Sequence, residues 1–174
     1  MRATLRGALT ISTTPPPPQV KGPPLALLKS TTFLMKLLGV AVKGRSLAAF
    51  EAAGHNPQHY AVLSLLDEGT RDTQAAIADA LGYDRSHLVG LLDELEEKNL
   101  VERRRDPGDR RRHVVSLTPA GKKALGQLRA IAKEVEAEFL APLDAEQRQA
   151  LHALLLELTA YHDPRCAGVA KPSS

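Results

Sequence analysis

Only one stretch of this chain is patterned for β-structure, and helical sequence brackets it on both sides. Val101–Arg105 and His113–Leu117 are short strand-like runs, joined by Asp106-Pro107-Gly108-Asp109, which is turn chemistry for a hairpin. A lone two-stranded ribbon is marginal in water, so this one must lean on its neighbours. The neighbours are apolar at helical spacing. Leu88, Leu91, Leu92 and Leu95 recur at i, i+3, i+4 and i+7 just before the ribbon, and Leu125, Leu128, Ala132, Val135 and Phe139 follow it. The expected fold class is therefore mainly α with a small β-wing.

Composition agrees with helices. Aromatic residues make up 3% of the chain, there is no Trp, and 43% of residues are hydrophobic. Such a core is built from Leu, Val, Ile and Ala, which suits packed helices better than a sheet sandwich. The length, 174 residues, fits one domain with long flanking helices. No stretch approaches the ~20 apolar residues of a membrane-spanning helix, so no membrane partner is expected. A single cysteine, Cys166, cannot form an internal disulfide, and the chain reads as intracellular and cytoplasmic.

Residues 1–24 stand apart, with Arg2, Arg6 and Lys21, no acidic residue and the run Pro15-Pro16-Pro17-Pro18. A proline run cannot join a helical core, and the segment is expected to be a disordered extension rather than a targeting peptide. From Leu25 a long helix is expected, with Gly39 and Gly44 as weak points and Gly54 as its end. Asn56 and Pro57 open a second helix that ends near Gly69. Thr73 begins a third, with Ala76, Ile77 and Ala80 inward, closed by Leu81-Gly82. Asp84 caps a fourth, with Asn99 as a left-handed residue after it. Beyond the ribbon, Thr118 and Pro119 start a long helix that Pro142 breaks. Asp144 caps the last, whose Leu151, Leu154, Leu155, Leu158 and Tyr161 form an apolar stripe.

Two short helices separated by Leu81-Gly82-Tyr83 make a helix-turn-helix candidate. The second, roughly residues 84–98, would be the recognition helix. Its outward N-terminal residues are Arg85, Ser86 and His87, followed by Val89 and Gly90. Residues near the start of such a helix face base edges in the major groove. Arg can fork onto guanine, and Ser and His can donate to bases or phosphates. By itself the pattern also fits a plain amphipathic helix.

The ribbon decides between these readings. Arg103, Arg104, Arg105, Arg110, Arg111 and Arg112 stand against Glu102, Asp106 and Asp109, a local excess of three charges that matches the formal net charge of the whole chain, +3. An arginine-tipped ribbon directly after a candidate recognition helix has the form of a wing, and arginines on such a tip can enter the narrow minor groove.

Thr73-Gln-Ala-Ala-Ile-Ala-Asp-Ala-Leu-Gly82, the stretch Leu88 to Arg103, and Asp106-Pro-Gly-Asp-Arg-Arg-Arg-His-Val-Val-Ser-Leu-Thr-Pro-Ala-Gly121 together resemble the multiple-antibiotic-resistance regulator (MarR) family. Its wing signature is an Asp-x-Arg followed by a strand ending in Leu-Thr-x-x-Gly. The resemblance runs from about Leu25 to His162 and is strongest from Thr73 to Gly121.

It implies a winged helix-turn-helix with long N- and C-terminal dimerisation helices. The organisation would be a MarR-like domain over residues 25–163, with a DNA-binding lobe at 55–118, dimerisation helices at 25–53 and 119–162, and a flexible tail at 164–174. The implied function is a sequence-specific transcriptional regulator, a ligand-responsive repressor that grips an inverted-repeat operator on double-stranded DNA as a homodimer. Asp109 would orient Arg111 into the minor groove, with Arg110 and Arg112 at phosphates. Where the family often carries Ser or Thr and then Arg, this chain has Val89 and Gly90, so Arg85, Ser86 and His87 carry more of the base reading. The family often binds small aromatic effectors between dimer base and DNA-binding lobe, which makes His55 and His59 a candidate effector pocket.

Other chemistries find little support. His55 and His59 are separated by Asn56-Pro57 at a helix start, no Cys joins them, and Glu51 lies across the Gly54 break, so neither a metal nor any other cofactor is expected. Cys166 is expected to be a spectator. There is no Gly-rich phosphate loop, nucleophile elbow or paired His-Cys constellation, so the chain is not expected to be an enzyme. The rival reading is a winged-helix adaptor whose wing arginines meet an acidic protein.

Overall fold

A computed structural model describes residues 22–69, 72–105, 108 and 113–167. By its internal contacts the chain divides into two units, Met1–Leu38 and Gly39–Ser174. In the first, α1 is a single turn, Leu25–Leu28, and α2, Thr31–Ala52, begins after it and continues into the second unit. The expected long helix is thus interrupted at Lys29–Ser30 and not at its glycines. Ser30 Oγ accepts from the Phe33 backbone N–H at 3.4 Å, restarting the helix with its own side chain. Gly39 and Gly44 lie inside α2 unbroken, since a helical glycine costs only about 1 kcal/mol relative to alanine.

In the second unit the helix boundaries follow their caps. Asn56 Oδ1 accepts from the His59 backbone N–H at 2.8 Å and Pro57 is the first residue of α3, Pro57–Asp67. Thr73 is the N-cap of α4, Gln74–Leu81, one position outside the helix it was expected to begin. Gly82 closes α4 at φ 68°, in the left-handed region. Asp84 caps α5, Arg85–Glu97, and Asn99 follows at φ 56°. Thr118 and Pro119 open α6, Pro119–Phe139. Asp144 and Gln147 form a reciprocal capping box on α7, Ala145–His162, and a 3-10 turn, Pro164–Cys166, follows.

The strands β1, Val101–Arg105, and β2, His113–Leu117, pair antiparallel from Val101↔Leu117 to Arg105↔His113. This ribbon does not stand alone. The Val115 backbone N–H donates to the Asp72 carbonyl at 2.7 Å, and Thr73 bridges Val114, so the residues before α4 act as a short third strand. Gly121 is required at the other end. A β-carbon there would overlap the Leu100 carbonyl oxygen, so only glycine lets the first turn of α6 close onto the start of β1.

The core joins Val62, Leu63 and Leu66 of α3, Ile77 of α4, the whole Leu88/Leu91/Leu92/Leu95 stripe of α5, Val101, Val115, and Ala124, Leu125 and Leu128 of α6. On α4 the inward pair is Ile77 and Ala78, whereas Ala76 and Ala80 are half-buried. Each fully buried Leu contributes roughly 1.5–3 kcal/mol, which fixes α5 against α3, α4 and the ribbon. By contrast, the α7 stripe is open: Leu154, Leu155 and Leu158 are exposed and Tyr161 is 84% exposed. No helix among the described residues is long and apolar enough to cross a membrane.

Candidate nucleic-acid interface

The N-terminal turn of α5 is held rigidly while its outward side chains stay open. Asp84 Oδ1 accepts from both the His87 backbone N–H, at 2.8 Å, and the Ser86 hydroxyl, at 2.6 Å. These bonds hold the Asp84 carboxyl below its ordinary pKa, the Ser86 hydroxyl contributing most. Ser86 therefore spends its proton internally and is left as an acceptor toward a ligand. Arg85 is exposed and makes no ion pair among the described residues. It lines a groove with Thr73 and Gln74 at the start of α4, Leu88 and Val89 on α5, and His113 at the start of β2. Val89 and Gly90 both face outward, and nothing lies within 4 Å of where a Gly90 β-carbon would stand.

His87 is exposed but anchored. Its Nε2 lies 2.8 Å from Gln58 Nε2, a residue of α3, and its ring meets Tyr83 edge-on with centroids 5.5 Å apart. Arg85, Ser86 and His87 thus lie together on the exposed first turn of α5.

The ribbon's arginines divide by role. Arg103 is not part of the open basic surface, where its position in the sequence had put it. Its Nε donates to Glu96 Oε2 at 2.8 Å, its Nη2 pairs with Asp93 at 2.6 Å, and its side chain is only 22% exposed. It locks β1 onto α5 and holds Glu96 below the ordinary carboxylate pKa. Arg104 pairs with Glu102 at 2.9 Å on the exposed face. Asp109, Arg110, Arg111 and Arg112 lie outside the described residues.

His55 and His59 come together, which the intervening Asn56-Pro57 had left open, with ring centroids 5.8 Å apart. His59 is 3% exposed, and its Nε2 lies 2.9 Å from Glu94 Oε2 on α5. The Nδ1 atoms of both histidines are buried with no hydrogen-bond partner among the described residues. Burial lowers both pKa values, and for His59 Glu94 offsets part of that. Lys98 Nζ donates to the Gly54 carbonyl at 3.0 Å, so the far end of α5 is tied to the same corner. Among the described residues no group of three or more His, Cys, Asp or Glu gathers to hold a metal.

Sequence reasoning missed Gln58, Gln74, Glu94 and Arg165. The last sits in the C-terminal 3-10 turn, chelated by Asp163, and packs its guanidinium against Gly82. Gln58, Glu94 and Arg165 each meet a residue far away in the sequence, whereas Gln74 lines the groove beside Arg85. Only the outward position of Gln74 in the first turn of α4 could have flagged any of them.

Comparison with known proteins agrees with this geometry. A family model described as MarR family matches residues 53–112. A protein of Thauera aromatica described as a transcriptional regulatory protein for the hcr operon is 32% identical over 129 residues, 70% of this chain and 78% of its own. The transcriptional repressor CouR bound to a 23-mer DNA duplex superimposes with a TM-score of 0.70 at 30% identity, over 76% of this chain and 94% of that one. CouR from Rhodococcus jostii RHA1 bound to p-coumaroyl-CoA superimposes with a TM-score of 0.67 at 25% identity, over 79% of this chain and 95% of that one. The wing, the helix-turn-helix and these matches together show that the chain belongs to the MarR family of DNA-binding transcriptional regulators.

Proposed function

We propose that the chain is a ligand-responsive repressor that binds an inverted-repeat operator as a homodimer in the cytoplasm. The observation that carries this reading is the exposed Arg85, which makes no ion pair among the described residues, beside Ser86 and His87 at the mouth of a groove walled by α4, α5 and the first residue of β2. A cation there can fork onto guanine in the major groove. The wing completes the grip, with Arg111 in the minor groove oriented by Asp109, and Arg110 and Arg112 at phosphates.

Dimerisation is assigned to residues 25–53 and 119–162. The open stripe of Leu154, Leu155, Leu158 and Tyr161 supports it, since such a stripe on a helix marks a contact surface. The effector is taken to be a small aromatic molecule acting at the His55–His59 corner, which is joined to α5 through Glu94 and Lys98. CouR bound to p-coumaroyl-CoA supports an effector of this kind. Its binding would shift the population between spacings of the two recognition helices that fit DNA and spacings that do not.

Footprinting on the duplex upstream of the protein's own gene tests this. Two protected half-sites centred about one helical turn, ~34 Å, apart are expected, with protection lost on adding an aromatic ligand. Weak binding indifferent to sequence would overturn the reading in favour of a protein-interaction adaptor.

A further inference from the structure

We propose that Gln58 is a positioning residue that sets the orientation and the tautomer of His87, and through it the base that α5 reads. The inference rests on α5 being the base-reading helix. Gln58 stands in the first turn of α3, the turn capped by Asn56, so its backbone is fixed. From there its amide nitrogen reaches His87 Nε2 at 2.8 Å across 29 residues of sequence. An amide NH2 group only donates, so in the neutral ring Nε2 accepts and the proton resides on Nδ1.

Tyr83 holds the same ring edge-on from the helix-turn-helix turn, at 5.5 Å and an interplanar angle of 78°. Asp84 fixes the His87 backbone N–H. The ring is therefore clamped through Nε2 and one edge, and among the described residues no hydrogen bond engages Nδ1. A fixed Nδ1–H is a donor, and in the major groove it selects an acceptor edge, guanine N7 or O6, over the cytosine amino group. Without Gln58 only the edge contact with Tyr83 restrains the ring, nothing holds the proton on Nδ1, and donor and acceptor bases are no longer told apart.

The test uses the full-length protein, duplexes selected from a randomised library by the wild type, and long-range proton–nitrogen NMR of the His87 ring. Wild type is expected to show the Nδ1–H tautomer, and Gln58→Ala a mixture dominated by Nε2–H. Gln58→Ala is also expected to lose about tenfold preference at one base pair of each half-site. His87→Ala should lose the same preference, and adding Gln58→Ala to it should change nothing further. Gln58 is half-buried and outside the core, so thermal unfolding should be unaltered. An Nε2–H tautomer in wild type, or unchanged base preference in Gln58→Ala, overturns the inference while leaving DNA recognition by α5 standing. A wild type that selects no sequence overturns both.

Discussion

Arg103 in β1 and Glu96 in α5 are joined by a side-chain hydrogen bond of 2.8 Å, which ties the ribbon to α5. With Asp93 on the same guanidinium, the pair fixes where the ribbon points relative to Arg85. Arg103→Ala leaves two carboxylates facing each other without their cation. The partners are partly exposed, so solvent screens the loss. We expect a stability loss of about 1–2 kcal/mol, seen as a lower Tm, together with weaker DNA binding even though Arg103 is placed to touch no base. Unchanged stability would show that the clamp does not hold the ribbon.

Arg85→Ala should weaken specific DNA binding by about 1–3 kcal/mol and relax selectivity at one base position per half-site. Because Arg85 lies outside the core, its thermal unfolding should match wild type. Competition binding against selected and scrambled duplexes measures both effects.

Gly121→Ala places a methyl group on the Leu100 carbonyl. The first turn of α6 must then shift away from β1, at a cost of about 2–3 kcal/mol. Urea unfolding with an unchanged midpoint would contradict this packing.

Buried His59 and half-buried His55 set an acid-side limit. His55 and His59 both have folded-state pKa values below 6.5, with burial the largest cause. The unfolded chain therefore binds more protons just below pH 6.5, and stability falls as pH drops through that window. Above it their contribution is complete. His59→Gln keeps an amide donor for Glu94 and removes the titration of His59, so its urea midpoint should fall less steeply as pH drops below 6.5 than that of wild type. Equal slopes would mean His59 does not titrate with folding.

What the sequence made legible was local. Asn56, Asp84, Thr118 and Asp144 each announce a helix start through a bond to a residue three positions on, and all four do so in the structure. The α5 stripe was readable because burial follows the helical period, and Leu88, Leu91, Leu92 and Leu95 are all buried. The break at Lys29–Ser30 was missed because one serine hydroxyl on an exposed turn leaves little trace in the pattern. Long-range pairings were invisible for a different reason. Nothing about an arginine in a basic run says that two carboxylates on the preceding helix will capture it, as they capture Arg103. Likewise a glutamine in the first turn of α3 does not announce a histidine 29 residues away.

The claim that α5 and the wing form a surface for duplex DNA is tested most directly by salt-dependent competition. Wild type is titrated against its own upstream duplex and a scrambled duplex of equal length at several salt concentrations. The account predicts a clear preference for the upstream duplex, with log affinity falling linearly as log salt rises, and loss of that preference in Arg85→Ala. Equal affinity for both duplexes, or affinity independent of salt, would contradict it.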